Sequence, residues 1–160
     1  IYGDLYDSNM SKFIKMIDKF RIMPVINGGK SLIQPVNARD LGKAYYAVLN
    51  SPENTAGKAY NLSGEKPLQM IEVFKSISDN LNKKTIFVSV PLGFGVLLAK
   101  IAKALTLGKL DYIEKVQRMG EDRSYSHEEA RNEFGYKPMS FVKGIWIEVE
   151  QHLLTKQQGN

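Results

Sequence analysis

A chain of 160 residues, 43% hydrophobic and 24% charged, has the make-up of one globular domain, able to bury roughly 70% of its unfolded surface. It has no cysteine, which removes disulfides and thiolate chemistry and fits a reducing cytoplasm, and its two histidines, His127 and His152, lack any metal-ligand spacing. The net charge of +5 is dispersed, with Lys83-Lys84 the only adjacent basic pair, so a solvated surface outweighs a nucleic-acid groove, while a small phosphorylated ligand stays open.

The amino end shows no basic region followed by an apolar run, so no signal peptide is read there. Met10, Phe13, Ile14, Ile17 and Phe20 recur at the spacing of one helical face, with Asp7 or Ser8 placed to cap it. Pro24-Val25-Ile26 reads as a short strand and Asn27-Gly28-Gly29-Lys30 as its turn. Leu32 to Val36 reads as a second extended piece, which Pro35 keeps off a central position. Asn37 is placed to cap the next helix, with Asp40 in its first turn and a stripe of Leu41, Ala44, Tyr45, Val48 and Leu49 ending near Pro52. On that register Tyr45 points inward and Tyr46 is more exposed.

Ala59-Tyr60-Asn61-Leu62 reads as a strand after the Gly57 turn. Met70, Val73, Phe74, Ile77 and Leu81 define a further helix, and Thr85 to Val90 the last strand. An apolar helix follows Pro91. The run from Val88 to Leu107 is broken by Pro91, Gly93, Gly95, Lys100 and Lys103, and its apolar core is too short to span a bilayer. Another helix lies around Tyr112 to Met119, and Ser126-His127-Glu128-Glu129 has the form of a capping box opening a short helix. Val142, Ile145, Trp146, Val149 and Leu153 stripe a closing helix, with Trp146 read as core. The domain is thus drawn over residues 1–154, leaving Thr155 to Asn160 as a polar tail. His127 and His152 read as surface residues.

Alternating strands and helices predict an α/β fold. The strands are few and short while helical content grows toward the carboxyl end, which suits a lobe that completes a larger sheet and adds a helical cap. No complete catalytic set can be assembled. Gly93-Phe94-Gly95 comes nearest to a dinucleotide fingerprint, but position 98 is leucine and no acidic residue follows at the right distance. Gly29-Lys30-Ser31 looks like the end of a P-loop, yet Pro24 stands where its first glycine is needed, so the turn reading prevails. No G-x-S-x-G elbow occurs.

Five segments in order carry a family resemblance: Ile1-Tyr2-Gly3, Gln34 to Leu41, Tyr60-Asn61-Leu62-Ser63-Gly64, Arg118-Met119-Gly120-Glu121-Asp122, and Phe134-Gly135-Tyr136-Lys137-Pro138. Together they resemble the second half of an extended short-chain dehydrogenase/reductase, the class of NAD-dependent sugar-nucleotide epimerases and dehydratases, from Ile1 to about Leu153. The resemblance implies the carboxyl-terminal lobe of that fold, completing a Rossmann-type sheet whose amino-terminal half lies upstream of Ile1. That half would carry the glycine-rich cofactor loop and the tyrosine with lysine four residues on. None of the eight tyrosines here has lysine at that offset. NAD or NADP is then expected in the full-length protein, with none binding this chain alone.

The resemblance further implies a nucleotide-sugar or other phosphorylated sugar as partner, a homodimer at full length, and a substrate-binding set of Asn9, Gln34, Asn37, Arg118 and Asp122. Asn9 falls where relatives place a diphosphate contact at a helix start, or it merely starts the helix. Arg118 matches the arginine of an arginine-x-glycine-aspartate clamp, with Asp122 one residue late for that aspartate. Position 33 is isoleucine where sugar-nucleotide epimerases commonly have a second arginine, leaving Gln34 to offer a neutral hydrogen bond. Arg39 is read as solvated. Two alternatives stay open: a non-catalytic binding or regulatory module of the same fold, and an epimerase acting on a lipid-linked sugar. The apolar helix after Pro91 either packs on the upstream half or a second subunit, or touches a lipid-linked sugar or the membrane surface.

Overall fold

The helical stripes fold largely as their spacing dictates. The computed structural model describes residues 1–4, 7, 9–107, 109 and 111–158; Ser8, the second candidate cap, and the last two residues of the predicted tail lie outside them. Helix α1 (Met10–Lys19) buries Met10, Ile14 and Ile17, and leads into strand β1 (Ile22–Ile26). A 3₁₀ turn over Asn27–Gly29 and strand β2 (Leu32–Ile33) follow, then helices α2 (Ala38–Leu49) and α3 (Pro52–Thr55). Strand β3 (Leu68–Gln69) runs directly into α4 (Met70–Asn80), which returns the chain to β4 (Ile86–Val90). Four helices complete the order: α5 (Leu92–Leu105), α6 (Ile113–Arg118), α7 (Glu128–Phe134) and α8 (Phe141–Gln158).

β1 and β4 pair in parallel, from Ile22 against Ile86 to Ile26 against Val90, while β2 and β3 pair antiparallel. Pro24 donates nothing to a ladder and sits where β1 has β4 as its one partner among the described residues, the edge position a strand proline requires. Two isolated parallel bridges, Tyr2 with Asn37 and Ile33 with Arg123, tie distant segments to β2 and to the residues that follow it. The core lies among α1, α4 and α8, with Ile14, Ile77 and Ile145 wholly enclosed. Phe74 meets Phe13 edge-on at 4.9 Å between ring centroids and stacks on Phe87 at 6.3 Å. Each such large side chain contributes about 1.5–3 kcal/mol by leaving water. Tyr2 joins this core through a ring contact of 5.4 Å with Phe141, and a side chain at Gly144 would collide with the Tyr2 hydroxyl.

Several expectations need correcting. Tyr45 and Tyr46 are both exposed, 67% and 71%, because α2 buries only Asp40 and Ala44. Its rotation follows a polar contact: the Asp40 carboxylate accepts the Met139 amide at 2.8 Å. Trp146 is 52% exposed and outside the core, since α8 turns inward Phe141, Gly144, Ile145, Glu148 and Val149. Residues 59–62 form no strand; no ladder runs beside them, and Tyr60 and Leu62 pack instead on a small cluster of Ala44, Ala130 and Tyr136. Phe20 falls outside α1 and is exposed. α8 continues helical through Gln158, into the stretch read as a tail.

Candidate functional site

The elements around β2 bring two of the five predicted residues together. Asp122 accepts the Leu32 amide at 2.8 Å through Oδ1, and the Arg123 amide donates to the Leu32 carbonyl at 2.7 Å. Residues 122–125 therefore run alongside β2. Gln34 extends the seam: its Nε2 donates to the Gly64 carbonyl and its Oε1 accepts the Tyr125 amide, each at 2.8 Å. A neutral amide that donates and accepts at once joins three chain segments with no charge to desolvate. Gly64 is required there, because any side chain would overlap the Pro35 carbonyl.

The next pair surrounds the amino-terminal segment. Asn37 is buried, and its Oδ1 accepts the Arg39 amide at 3.0 Å, which caps α2 as its residue type predicts. The backbone beside it is held by Tyr2, whose amide donates to the Val36 carbonyl at 3.0 Å and whose carbonyl accepts the Ala38 amide at 2.7 Å. Burial raises the Tyr2 phenol well above its ordinary value, partly offset by a hydrogen bond with Asn37. Asn9 opens α1 on the surface, but Asp7 satisfies the free amides there, accepting from Asn9 and Met10 at 2.7 Å and from Ser11 at 3.1 Å. The Asn9 side chain makes no capping bond. Arg118 ends α6 with an exposed guanidinium 3.5 Å from Glu114. Asn9 and Arg118 share no hydrogen bond or ion pair with the other three residues.

Glycine placement decides what the strand ends can cradle. β1 and β4 finish at Ile26 and Val90, the edge of a parallel sheet where ligands gather in open α/β folds. Asn27, at φ 48°, turns its Oδ1 to the Leu92 amide at 3.0 Å and so occupies the first donor of α5. A Cβ on Gly29 would lie 2.8 Å from both the Ile71 amide nitrogen and Val25, and one on Gly95 would lie 2.7 Å from Ile26. These glycines are spent on internal packing and do not fit a dinucleotide pyrophosphate, which needs open backbone at a helix start.

Three groups were not legible as interior. His127 Nδ1 lies 2.8 Å from the hydroxyl of buried Ser63. That hydroxyl donates to the Tyr125 carbonyl at 2.7 Å, so the imidazole donates to Ser63 and the pair is no nucleophile and base. Burial, then Arg131, lowers the His127 pKa, and Glu128 opposes them. Tyr136 closes the cluster, its hydroxyl donating to the Ser63 carbonyl at 3.0 Å. At the other edge of the sheet, Asp18 accepts from Lys156 at 2.8 Å, from His152 at 3.0 Å and from Lys83 at 3.2 Å. Burial alone would raise its carboxyl, yet these three donors hold it well below the usual carboxylate range. Glu148 is fully enclosed, and burial followed by the neighbouring Asp7 pushes it up to about 9 against the pull of the Gly3 amide. Spacing alone could have found only Glu148, in register with Phe141, Gly144 and Ile145.

No family profile matches the chain. Among curated proteins it is 26% identical over 110 residues to NADH dehydrogenase [ubiquinone] 1 alpha subcomplex subunit 9, mitochondrial, of Arabidopsis thaliana, covering 69% of this chain and 26% of that one. Among solved structures it matches the epimerase Mth375 of Methanothermobacter thermautotrophicus with a TM-score of 0.69 at 17% identity, over 96% of this chain and 39% of that one. UDP-glucuronic acid 4-epimerase from Bacillus cereus, in complex with UDP-glucuronic acid and NAD, matches at 0.68 and 14% identity, over 96% and 43%. dTDP-glucose 4,6-dehydratase from Bacillus anthracis, in complex with NAD, matches at 0.63 and 17% identity, over 98% and 43%. The chain therefore has the α/β fold found in part of these two epimerases and the dehydratase, the fold its motifs point to. It spans about a quarter of the curated relative and less than half of each solved chain.

Proposed function

We propose that this chain is the substrate-binding, carboxyl-terminal part of an NAD(P)-dependent sugar-nucleotide epimerase or dehydratase. The observation that carries the reading is its match, over 96% of its length, to an epimerase structure that holds UDP-glucuronic acid and NAD. The hydride chemistry belongs to segments outside these residues, and no step of it is assigned to this chain. Its contribution is to grip the nucleotide diphosphate. Arg118 supplies a planar two-pronged donor whose present partner, Glu114, is an exposed ion pair worth little and easily exchanged. Asn9 offers a side-chain amide beside the first turn of α1. Gln34, Asn37 and Asp122 serve the same site by fixing the backbone of its wall. In the natural-length protein, Arg118→Ala is expected to weaken UDP- or dTDP-sugar binding in calorimetry by about 1.5–3 kcal/mol, the worth of a charge-assisted hydrogen bond. Unchanged affinity removes Arg118 from the site.

A second reading is favoured by the Arabidopsis relative, which its name makes a subunit of a larger NADH dehydrogenase. Under it the same wall binds a phosphorylated ligand without turnover. Nucleotide-sugar binding with no epimerase or dehydratase product supports that module; product formation excludes it.

A further inference from the structure

Helix α5 is built inside out. It buries only Gly95 and Ala99, Gly95 against Ile26 and Val116, and turns most of its large residues to solvent. Phe94, Leu97, Leu98, Ile101 and Leu105 are each about half exposed or more, and their spacing puts them on one continuous face. Lys100 sits on a flank of that stripe, while Lys103 falls on the opposite side of the helix, toward Ile113 of α6. Between Pro91 and Leu110 there are three lysines and no acidic residue. Lys100 and Lys109 form no ion pair among the described residues, and Lys103 pairs with Asp111 at 2.5 Å, just beyond the helix. Half-exposed Tyr112, with the Lys115 ammonium 5.4 Å from its ring centroid, adds an aromatic and a further cation at the start of α6.

We propose that α5 is a membrane-surface element, its outward stripe seated at the acyl boundary of an anionic bilayer and its lysines among the headgroups. The charge pattern selects this occupant. A second copy of the chain, paired about a two-fold axis, would set Lys100 against a stripe that carries no acid between Pro91 and Leu110, the neighbouring Asp111 being already paired with Lys103. Protein interfaces also deplete lysine, whereas long lysine stems lie along an apolar ridge while their ammonium groups reach anionic headgroups. At 14 residues the helix is about 21 Å long, short of the roughly 30 Å hydrocarbon layer, so it lies in the interface plane. No helix among the described residues is long and apolar enough to cross a membrane. Tyrosine at the rim of such a surface is a recurrent feature of membrane interfaces. The proposal does not need the sugar-nucleotide reading, but it requires that segments outside these residues leave the α5 stripe uncovered.

Co-sedimentation of the natural-length protein with phosphatidylcholine vesicles, with and without phosphatidylserine, tests it. Binding should require phosphatidylserine, decline with salt, and vanish when Leu97→Asp and Ile101→Asp are combined. The pair Lys100→Glu and Lys109→Glu, on exposed side chains that no packing needs, should weaken binding at least ~10-fold at about 1 kcal/mol per lysine. Wild-type protein that ignores both vesicle types overturns the proposal, as do stripe variants that bind like wild type. So does a wild-type dimer that those variants split without any vesicle binding, which would make the face a contact between copies.

Discussion

The α1–α4–α8 core and the α5–α6 arm use the same residue types to opposite ends. α4 hides Val73, Phe74 and Ile77 and shows polar residues to water, whereas α5 hides glycine and alanine and shows leucine, isoleucine and phenylalanine. Helical periodicity defines a face, but the neighbouring elements decide whether that face is covered. In the core two other helices close over each stripe; on α5, Ile26 and Val116 meet the side that carries Gly95.

Truncating one isoleucine on each side is the direct way to break the contrast. Ile145→Ala, at a wholly enclosed position, should cost about 2–5 kcal/mol in urea unfolding, from lost transfer energy and the cavity left behind. A loss below about 1 kcal/mol would show that α8 does not close the core. A buried acid sharpens the picture further, because the core holds a proton that the arm has no means to hold. With its folded-state pKa raised to about 9, Glu148 binds its proton more tightly in the fold than in the unfolded chain. Stability should therefore fall as pH rises from about 4.3, the ordinary glutamate value, to about 9. Glu148→Gln removes that slope and should gain on the order of 2 kcal/mol at pH 8, shrinking toward nothing near pH 4. Parallel pH profiles for the two proteins would refute the enclosed, protonated carboxyl. The smallest effect belongs to the arm: Ile101→Ala should change stability by less than about 0.5 kcal/mol without a bilayer.

What the sequence made legible follows the same division. The stripes of α1 and α4, the Asn37 cap and the strands near Val25 and Phe87 were readable because local spacing and nearby residues determine them. Tyr45 and Trp146 were misplaced because the rotation of α2 follows the contact of Asp40 with the Met139 amide and that of α8 follows the Gly144 notch that receives Tyr2, neither of which an apolar stripe reveals. Residues 59–62 have the composition of a strand, yet pairing needs a neighbour and none lies beside them. His127 and His152 were read as surface because their partners, Ser63 and Asp18, stand 64 and 134 residues away in the chain. For the candidate site, residue types named Gln34 and Asp122, but only the folded arrangement shows both holding backbone around β2.

The missing side chain at position 144 leaves a notch on α8 that receives the Tyr2 hydroxyl. Tyr2 in turn braces the backbone on either side of Asn37, whose side chain starts α2. A disturbance in the closing helix is thereby relayed, through one phenol ring, to the opening turn of a helix about a hundred positions earlier. The notch works as a keyway: it fixes the rotation of α8 about its own axis, and with it the depth at which Ile145 and Glu148 enter the interior.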